Sequence, residues 1–110
     1  NEAVDEVEKI IISEYAKDRN FQPGDIVRHF KQQYVQDGSK KHYYRYLGTA
    51  LHTETKEILA IYQMLFPDSE GVRKTFARPM HMFAEPVDVD KYPDALQSYR
   101  LEKVPAFVAY

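Results

Sequence analysis

Turn-forming residues interrupt this chain about every ten residues, and between them the sequence leaves room only for short extended segments. The first interruption is Phe21-Gln22-Pro23-Gly24-Asp25. Pro23 presets the φ of one central turn position and Gly24 accepts a positive φ at the next, so a helix cannot continue and a strand is predicted to start at Asp25. Ile26, Phe30 and Tyr34 fall on one face at even spacing, which extends that strand toward Tyr34. A loop follows over Gln36 to Lys41, with Asp37-Gly38-Ser39 at its centre. The aromatic and β-branched runs Tyr43 to His52 and Glu57 to Phe66 flank Thr53-Glu54-Thr55-Lys56, the signature of a hairpin. Pro67 to Gly71 is the next turn. Val72 to Arg78 reads as a strand ended by Pro79, which has no N–H for a ladder. Met80-His81-Met82 predicts a single helical turn, Phe83 to Val87 a short closing strand, and Tyr99 to Val104 an alternating segment suited to an edge.

Before the first turn, Val4, Val7, Ile11 and Tyr15 recur at helical spacing, with Ala3 and Ile10 widening the stripe and Ile12 lying off it. Residues 3–18 therefore read as an amphipathic helix, acidic early and basic late in keeping with the helix dipole. The fold class that results is mainly β: a small SH3-like antiparallel barrel or bent sheet of about five strands with an N-terminal amphipathic helix. Residues 1–20 form the helix packed on or beside the barrel. Residues 21–110 form a single SH3-like β domain with a short C-terminal extension. A chain of 110 residues supports one such core.

Composition narrows the function classes. The absence of cysteine removes disulfides, thiolate metal sites and cysteine nucleophiles. A formal charge of -2 argues against a uniformly basic binder, yet the segment from Arg28 to Leu47 holds Arg28, Lys31, Lys40, Lys41 and Arg45 against Asp37 alone. No run approaches the roughly 20 apolar residues needed to cross a bilayer, and the start is acidic. A cytoplasmic location and no membrane partner are expected. The chain begins at Asn1, which leaves open that a leader or longer N-terminal region was removed.

The stretch Tyr46 to Phe66, followed by Ala77 to Phe83, resembles a bacterial family known as domain of unknown function 1653. The residues that carry the resemblance are His52, Thr53, Glu54, Thr55, Glu57, Tyr62, Leu65, Phe66, Arg78, Pro79, Met82 and Phe83. It spans about Pro23 to Val87 and implies an SH3-type barrel without implying a reaction. Where that family usually carries Trp ahead of its Arg-Pro pair, this chain has Phe76, and its Gln36–Lys41 loop is longer than the usual compact turn.

The candidate ligand site consists of His52, Glu54, Glu57, Tyr62 and Arg78. His52 and Glu54 are two apart and share a strand face if the strand reaches them, Glu57 opens the returning strand, and Tyr62 lies on it. Arg78 has the fork geometry to hold a carboxylate or phosphate, or to pair internally with Glu54 or Glu57. The preferred reading is a small binding or interaction module rather than an enzyme. The alternative is a small hydrolase or metal-assisted enzyme using His52 with Glu54 or Glu57, although the spacing supplies no convincing metal-ligand set and no cofactor is expected. A further alternative is a single-stranded nucleic-acid binder through Lys40, Lys41, Tyr43 and Arg45, in which bases stack on rings and cations meet phosphates. Strand alternation weakens it, since neighbouring aromatics face opposite sides. An unidentified ligand or protein partner is favoured over nucleic acid, and self-association through the N-terminal helix is a separate expectation.

Overall fold

The computed structural model describes residues 2–110, with side chains described from Glu6 onward. Its centre is a five-stranded antiparallel sheet ordered β4-β3-β2-β1-β5. The strands are β1 (Ile26–His29), β2 (Tyr43–Leu51), β3 (Ile58–Met64), β4 (Thr75–Pro79) and β5 (Leu101–Val104). Helix α1 (Glu2–Lys17) packs against β5, α2 (Met80–Phe83) follows β4, and α3 (Ala106–Ala109) closes the chain. Among the described residues no helix is long and apolar enough to cross a membrane.

The turn at Pro23-Gly24 forms as expected, with Gly24 at φ +97° and its N–H donating to the Tyr46 carbonyl at 2.8 Å. That bond ties the start of β1 to the middle of β2. Just beyond it the β2–β3 register shifts between Tyr46 and Gly48, a bulge that Gly48 accommodates at φ +133°. A bulge sharpens the local twist, so the sheet bends.

The sheet bends but does not close. Strands β4 and β5 form its two edges, so the bent-sheet form of the expected fold is the one found and the barrel form is not. Closure fails because Phe83 to Val87, expected to be the last strand, contributes only an isolated bridge between Pro86 and Tyr99. The fifth strand is instead Leu101–Val104, which pairs with β1 on the far side from β4. The first strand is also shorter than expected. It ends at His29, whose imidazole Nδ1 accepts the Lys31 N–H at 3.1 Å and caps a 3-10 turn over Phe30–Tyr34. A side chain that captures a backbone donor two residues ahead competes with the ladder, and here it turns the chain.

The two sheet faces carry separate cores. Val27, Tyr46, Ala60, Tyr62 and Leu101 gather on one face around Phe83 of α2, with Phe21 and Tyr44 packed against them. Ile26, Tyr43, Leu65 and Val104 pack on the other face with Ala109 of α3. Neighbours in sequence thus serve opposite faces, as Tyr43 and Tyr44 do. Helix α1 contributes differently from its predicted stripe. Ile11, Ile12 and Ala16 are its half-buried residues, whereas Val7, Ile10 and Tyr15 are exposed. Ala3 and Val4, the rest of that stripe, lie outside the described side chains. The helix meets the sheet along its second half, where Ile12 rather than Tyr15 turns inward.

Candidate functional site

On the Phe83 face, α2 covers the middle of the sheet and leaves one end open. There a cavity of about 300 Å³ is lined by His29 at the end of β1, Lys31 just after it, His42 and Tyr44 at the start of β2, Tyr62 of β3, Phe76 and Arg78 of β4, and Arg100. The register explains the convergence. Tyr62 stands opposite Phe76, and Arg78 stands opposite Ala60, whose small side chain leaves room for the arginine stem. Alternation puts all of them on the side shared by Tyr44 and His29.

The wall has an aromatic half and a cationic half. The Tyr62 and Phe76 ring centroids are 5.6 Å apart, and Tyr44 meets Tyr62 edge-on at 5.2 Å and Phe76 edge-on at 6.1 Å. Tyr62 is buried, whereas Phe76 is 38% exposed and presents its ring at the rim. Burial raises the Tyr44 hydroxyl above its ordinary value, with Tyr62 adding to the rise and Arg78 opposing it.

Among the described residues the cationic half is answered only at Arg100, by Glu85. Among the described residues no carboxylate lines the cavity, and Arg78 forms no salt bridge. Its Nη1 is shut off from solvent with no acceptor, as is Nε of Arg100, although Nη1 of Arg100 reaches Glu85 at 2.6 Å. The excess positive charge also acts on the histidines. Burial first, then His42, Arg100, Arg78 and Lys31, pushes His29 down to about 3. Burial likewise lowers His42, assisted by Lys41, Lys31 and Arg28. The two imidazoles, 5.7 Å apart, are therefore neutral near pH 7. Because Nδ1 of His29 accepts from Lys31, Nε2 carries its proton and can donate.

Of the five residues predicted to form the ligand site, the structure brings Tyr62 and Arg78 together and places the other three elsewhere. His52, Glu54 and Glu57 sit at the β2–β3 turn, and none of them lines this cavity. Nδ1 of His52 accepts the N–H groups of Glu54 at 3.1 Å and Thr55 at 3.2 Å, and the His52 carbonyl accepts from Lys56, which has φ +65°. His52 thus organises its own turn, while the Glu54 and Glu57 side chains extend into solvent. Among the described residues no cluster of three His, Asp or Glu converges as a metal site. The predicted nucleic-acid residues divide too. Tyr43 is buried in the opposite core, Nζ of Lys40 donates to the Val108 carbonyl at 2.9 Å beside it, and Arg45 reaches the Gly24 carbonyl at 3.5 Å. Only Lys41 approaches the cationic side, in a neighbouring cavity with Lys31 and His42.

Sequence reasoning missed His29, Lys31, His42 and Arg100 as wall residues. Part of the signal was present, since Tyr44 and His42 belong to the interleaved aromatic and basic tract and Phe76 replaces a Trp in the family pattern. What the sequence concealed was that β5 pairs with β1 and brings Arg100 alongside.

A family model described as protein of unknown function (DUF1653) matches residues 25–95, which is well over half of the chain, so the chain belongs to that family. The match includes the whole cavity wall except Arg100. No curated protein and no solved structure matches the chain.

Proposed function

Membership in a family defined without a function leaves the cavity as the guide, and we propose that this DUF1653 domain is a binding module that takes an anionic group, a phosphate or carboxylate, at Arg78 beside the Tyr62–Phe76 wall. One observation carries the reading: Arg78 is a half-buried guanidinium with no carboxylate to answer it, in a cavity whose other polar lining is basic or neutral. A buried cation without a partner is costly, and structures retain such groups where an external charge completes them. Arg78 supplies a planar fork for two anion oxygens, Nε2 of neutral His29 adds a donor, and Phe76 offers a flat surface to whatever carries the anion. Binding fits better than acid–base chemistry here. An imidazole held down to about 3 is a weak base at pH 7, and among the described residues no Ser or Thr lines the cavity beside it.

Calorimetric titration with inorganic phosphate, phenyl phosphate and benzoate tests the reading. All three bind, the aromatic phosphate more tightly than inorganic phosphate, and Arg78→Gln weakens each about tenfold to hundredfold while the far-UV spectrum and melting temperature stay native. Absence of heat from all three at millimolar concentration, or equal binding by Arg78→Gln, overturns it.

A further inference from the structure

Between α1 and the loop that leads into β5 lies a second cavity, of about 520 Å³, which shares no lining residue with the Arg78 cavity. Arg28 of β1 and Glu102 of β5 both line it. The register sets these two directly opposite each other, with their side chains on one face of the strand pair. The Phe30 N–H donates to the Arg100 carbonyl two residues along, so by alternation Arg28 and Glu102 are also a hydrogen-bonded pair, with Cα atoms about 5.5 Å apart. Opposite charges so placed can join across the strands, yet among the described residues neither forms a salt bridge. We infer that this cavity binds a free α-amino acid with an apolar side chain, its carboxylate at Arg28 and its ammonium at Glu102.

The loop ahead of β5 holds the two charged groups apart. Oε1 of Gln97 accepts from Nη1 of Arg28, while its Nε2 donates to the carbonyls of Arg28 and Tyr99 at 2.9 and 3.2 Å. Oε1 of Glu102 accepts the Ser98 N–H at 3.0 Å. Each group is thus oriented by one neighbour and keeps capacity for more: the second carboxylate oxygen on one side, the rest of the guanidinium fork on the other. Glu102 is only 8% exposed, and a carboxylate so enclosed without a cation is costly. The nearby cations are engaged elsewhere. Burial lowers Arg19 and the field of Glu102 opposes that, but the Arg19 guanidinium donates to the carbonyls of Leu101 and Ala84. On the α1 wall, Lys9 pairs with Glu6 at 3.6 Å and Lys17 with Glu14 at 3.3 Å.

The arrangement also selects the form of the ligand. A guanidinium and a carboxylate side by side call for an anion and a cation on neighbouring atoms of one molecule. A free α-amino acid carries both on a single carbon, whereas either end of a peptide carries one of them. The remaining wall is apolar, with Ile12 and Ala16 half-buried on α1 and Leu96 exposed at the mouth. Ile12 is the helix residue that lies off the sequence stripe, and lining this cavity gives it a place. Such a wall accepts an aliphatic side chain, while the paired polar groups fix its orientation.

Nuclear magnetic resonance titration of the isotope-labelled full chain tests the assignment, with L-leucine, isoamylamine, isocaproate and glycine as probes. Leucine shifts the amides of Gln97, Ser98 and the second half of α1. Loss of its carboxylate, its ammonium or its side chain weakens binding at least about tenfold in each case. Glu102→Gln weakens leucine by about tenfold or more and leaves isocaproate unchanged, whereas Arg28→Gln weakens leucine and leaves isoamylamine unchanged. The four probes on the native chain decide the matter even if a variant does not fold. The inference is overturned if leucine moves no amide up to about 10 mM, or if isoamylamine or isocaproate binds as tightly as leucine. Leucine shifts centred on His29, Tyr44 and Arg78 overturn it as well, and assign the carboxylate to the other cavity.

Discussion

The two edges of the sheet treat positive charge in opposite ways. Along β5 every residue is buried, α1 lies against the strand, and Lys103 is answered by Asp18 at 2.9 Å and Asp25 at 3.0 Å, with the Asn20 carbonyl also accepting from it. Arg19 completes that edge by donating to the carbonyls of Leu101 and Ala84 and stacking over Tyr99 at 3.9 Å. Along β4, Thr75, Phe76 and Ala77 are exposed, and among the described residues Arg78 has no ion pair. The contrast teaches that this chain neutralises a buried cation where the cation holds the fold together. A cation left unanswered at the other edge marks a place where the counter-charge comes from outside.

The comparison is broken most directly at Lys103. Lys103→Met leaves Asp18 and Asp25 facing an apolar side chain and costs about 2 kcal/mol, less than the loss at a fully enclosed pair because both carboxylates retain access to water. The midpoint of urea unfolding measures it, and an unchanged midpoint would mean that the β5 edge is not held by this charge. Burial works to lower the Lys103 ammonium, but its hydrogen bonds to Asp18 and Asp25 outweigh burial and hold it above its ordinary value. The hydrogen bond from Lys103, then that from the Asn20 N–H, lowers Asp18. The stabilisation from Lys103 is therefore complete below the ordinary lysine value and fades as pH rises through the elevated one. That from Asp18 is complete above the ordinary aspartate value and fades as pH falls through the depressed one.

A second effect sharpens the contrast from the β4 side. The folded protein keeps His29 neutral down to about pH 3, whereas the unfolded chain protonates it near 6.5. The unfolded state thus binds more protons across that window, so stability is full above about 6.5 and declines as pH falls. His29→Asn keeps an acceptor for the Lys31 N–H and removes the titrating ring. Urea midpoints between about pH 6.5 and 5 should fall for the native protein and stay flatter for the variant. Parallel curves would show that neither burial nor the cavity's positive charge holds His29 neutral in the folded protein. The smallest expected effect has the opposite sign. Arg78→Met fills similar space without a charge and should raise the unfolding free energy of the ligand-free protein by about 0.5 kcal/mol. A loss instead would indicate that Arg78 serves the fold as Lys103 does.

Much of this architecture was legible in the residues. Pro23-Gly24, the Thr53–Lys56 turn and the Pro67–Gly71 turn bracket strands that form near their expected places, and Met80–Phe83 makes its helical turn. Those signals are local, carried by φ restrictions and missing donors. Of the errors, the 3-10 turn over Phe30–Tyr34 is local, whereas the identity of the last strand is a matter of long-range pairing. Nothing local distinguishes Phe83–Val87 from Leu101–Val104 as the partner that completes the sheet, because each is short and alternating. The choice is made by the burial of Val27 and Leu101, which share one face of the β1–β5 pair. The site was half legible for the same reason. Tyr62 and Arg78 meet through adjacent strands, while His29 and Arg100 enter only once β5 has docked. At His52 the imidazole accepts backbone N–H groups of its own turn, a role that an imidazole and an Asn share and that spacing alone does not separate from ligand binding.

Strand β5 lies beyond residue 95, where the family match stops, yet it covers the open side of β1 and carries the buried Leu101. The recognisable segment is therefore smaller than the body that shields its own edges. A domain trimmed to that segment would leave one side of its first strand bare. It would also lose Arg100, which enters the wall of the Arg78 cavity where β5 begins.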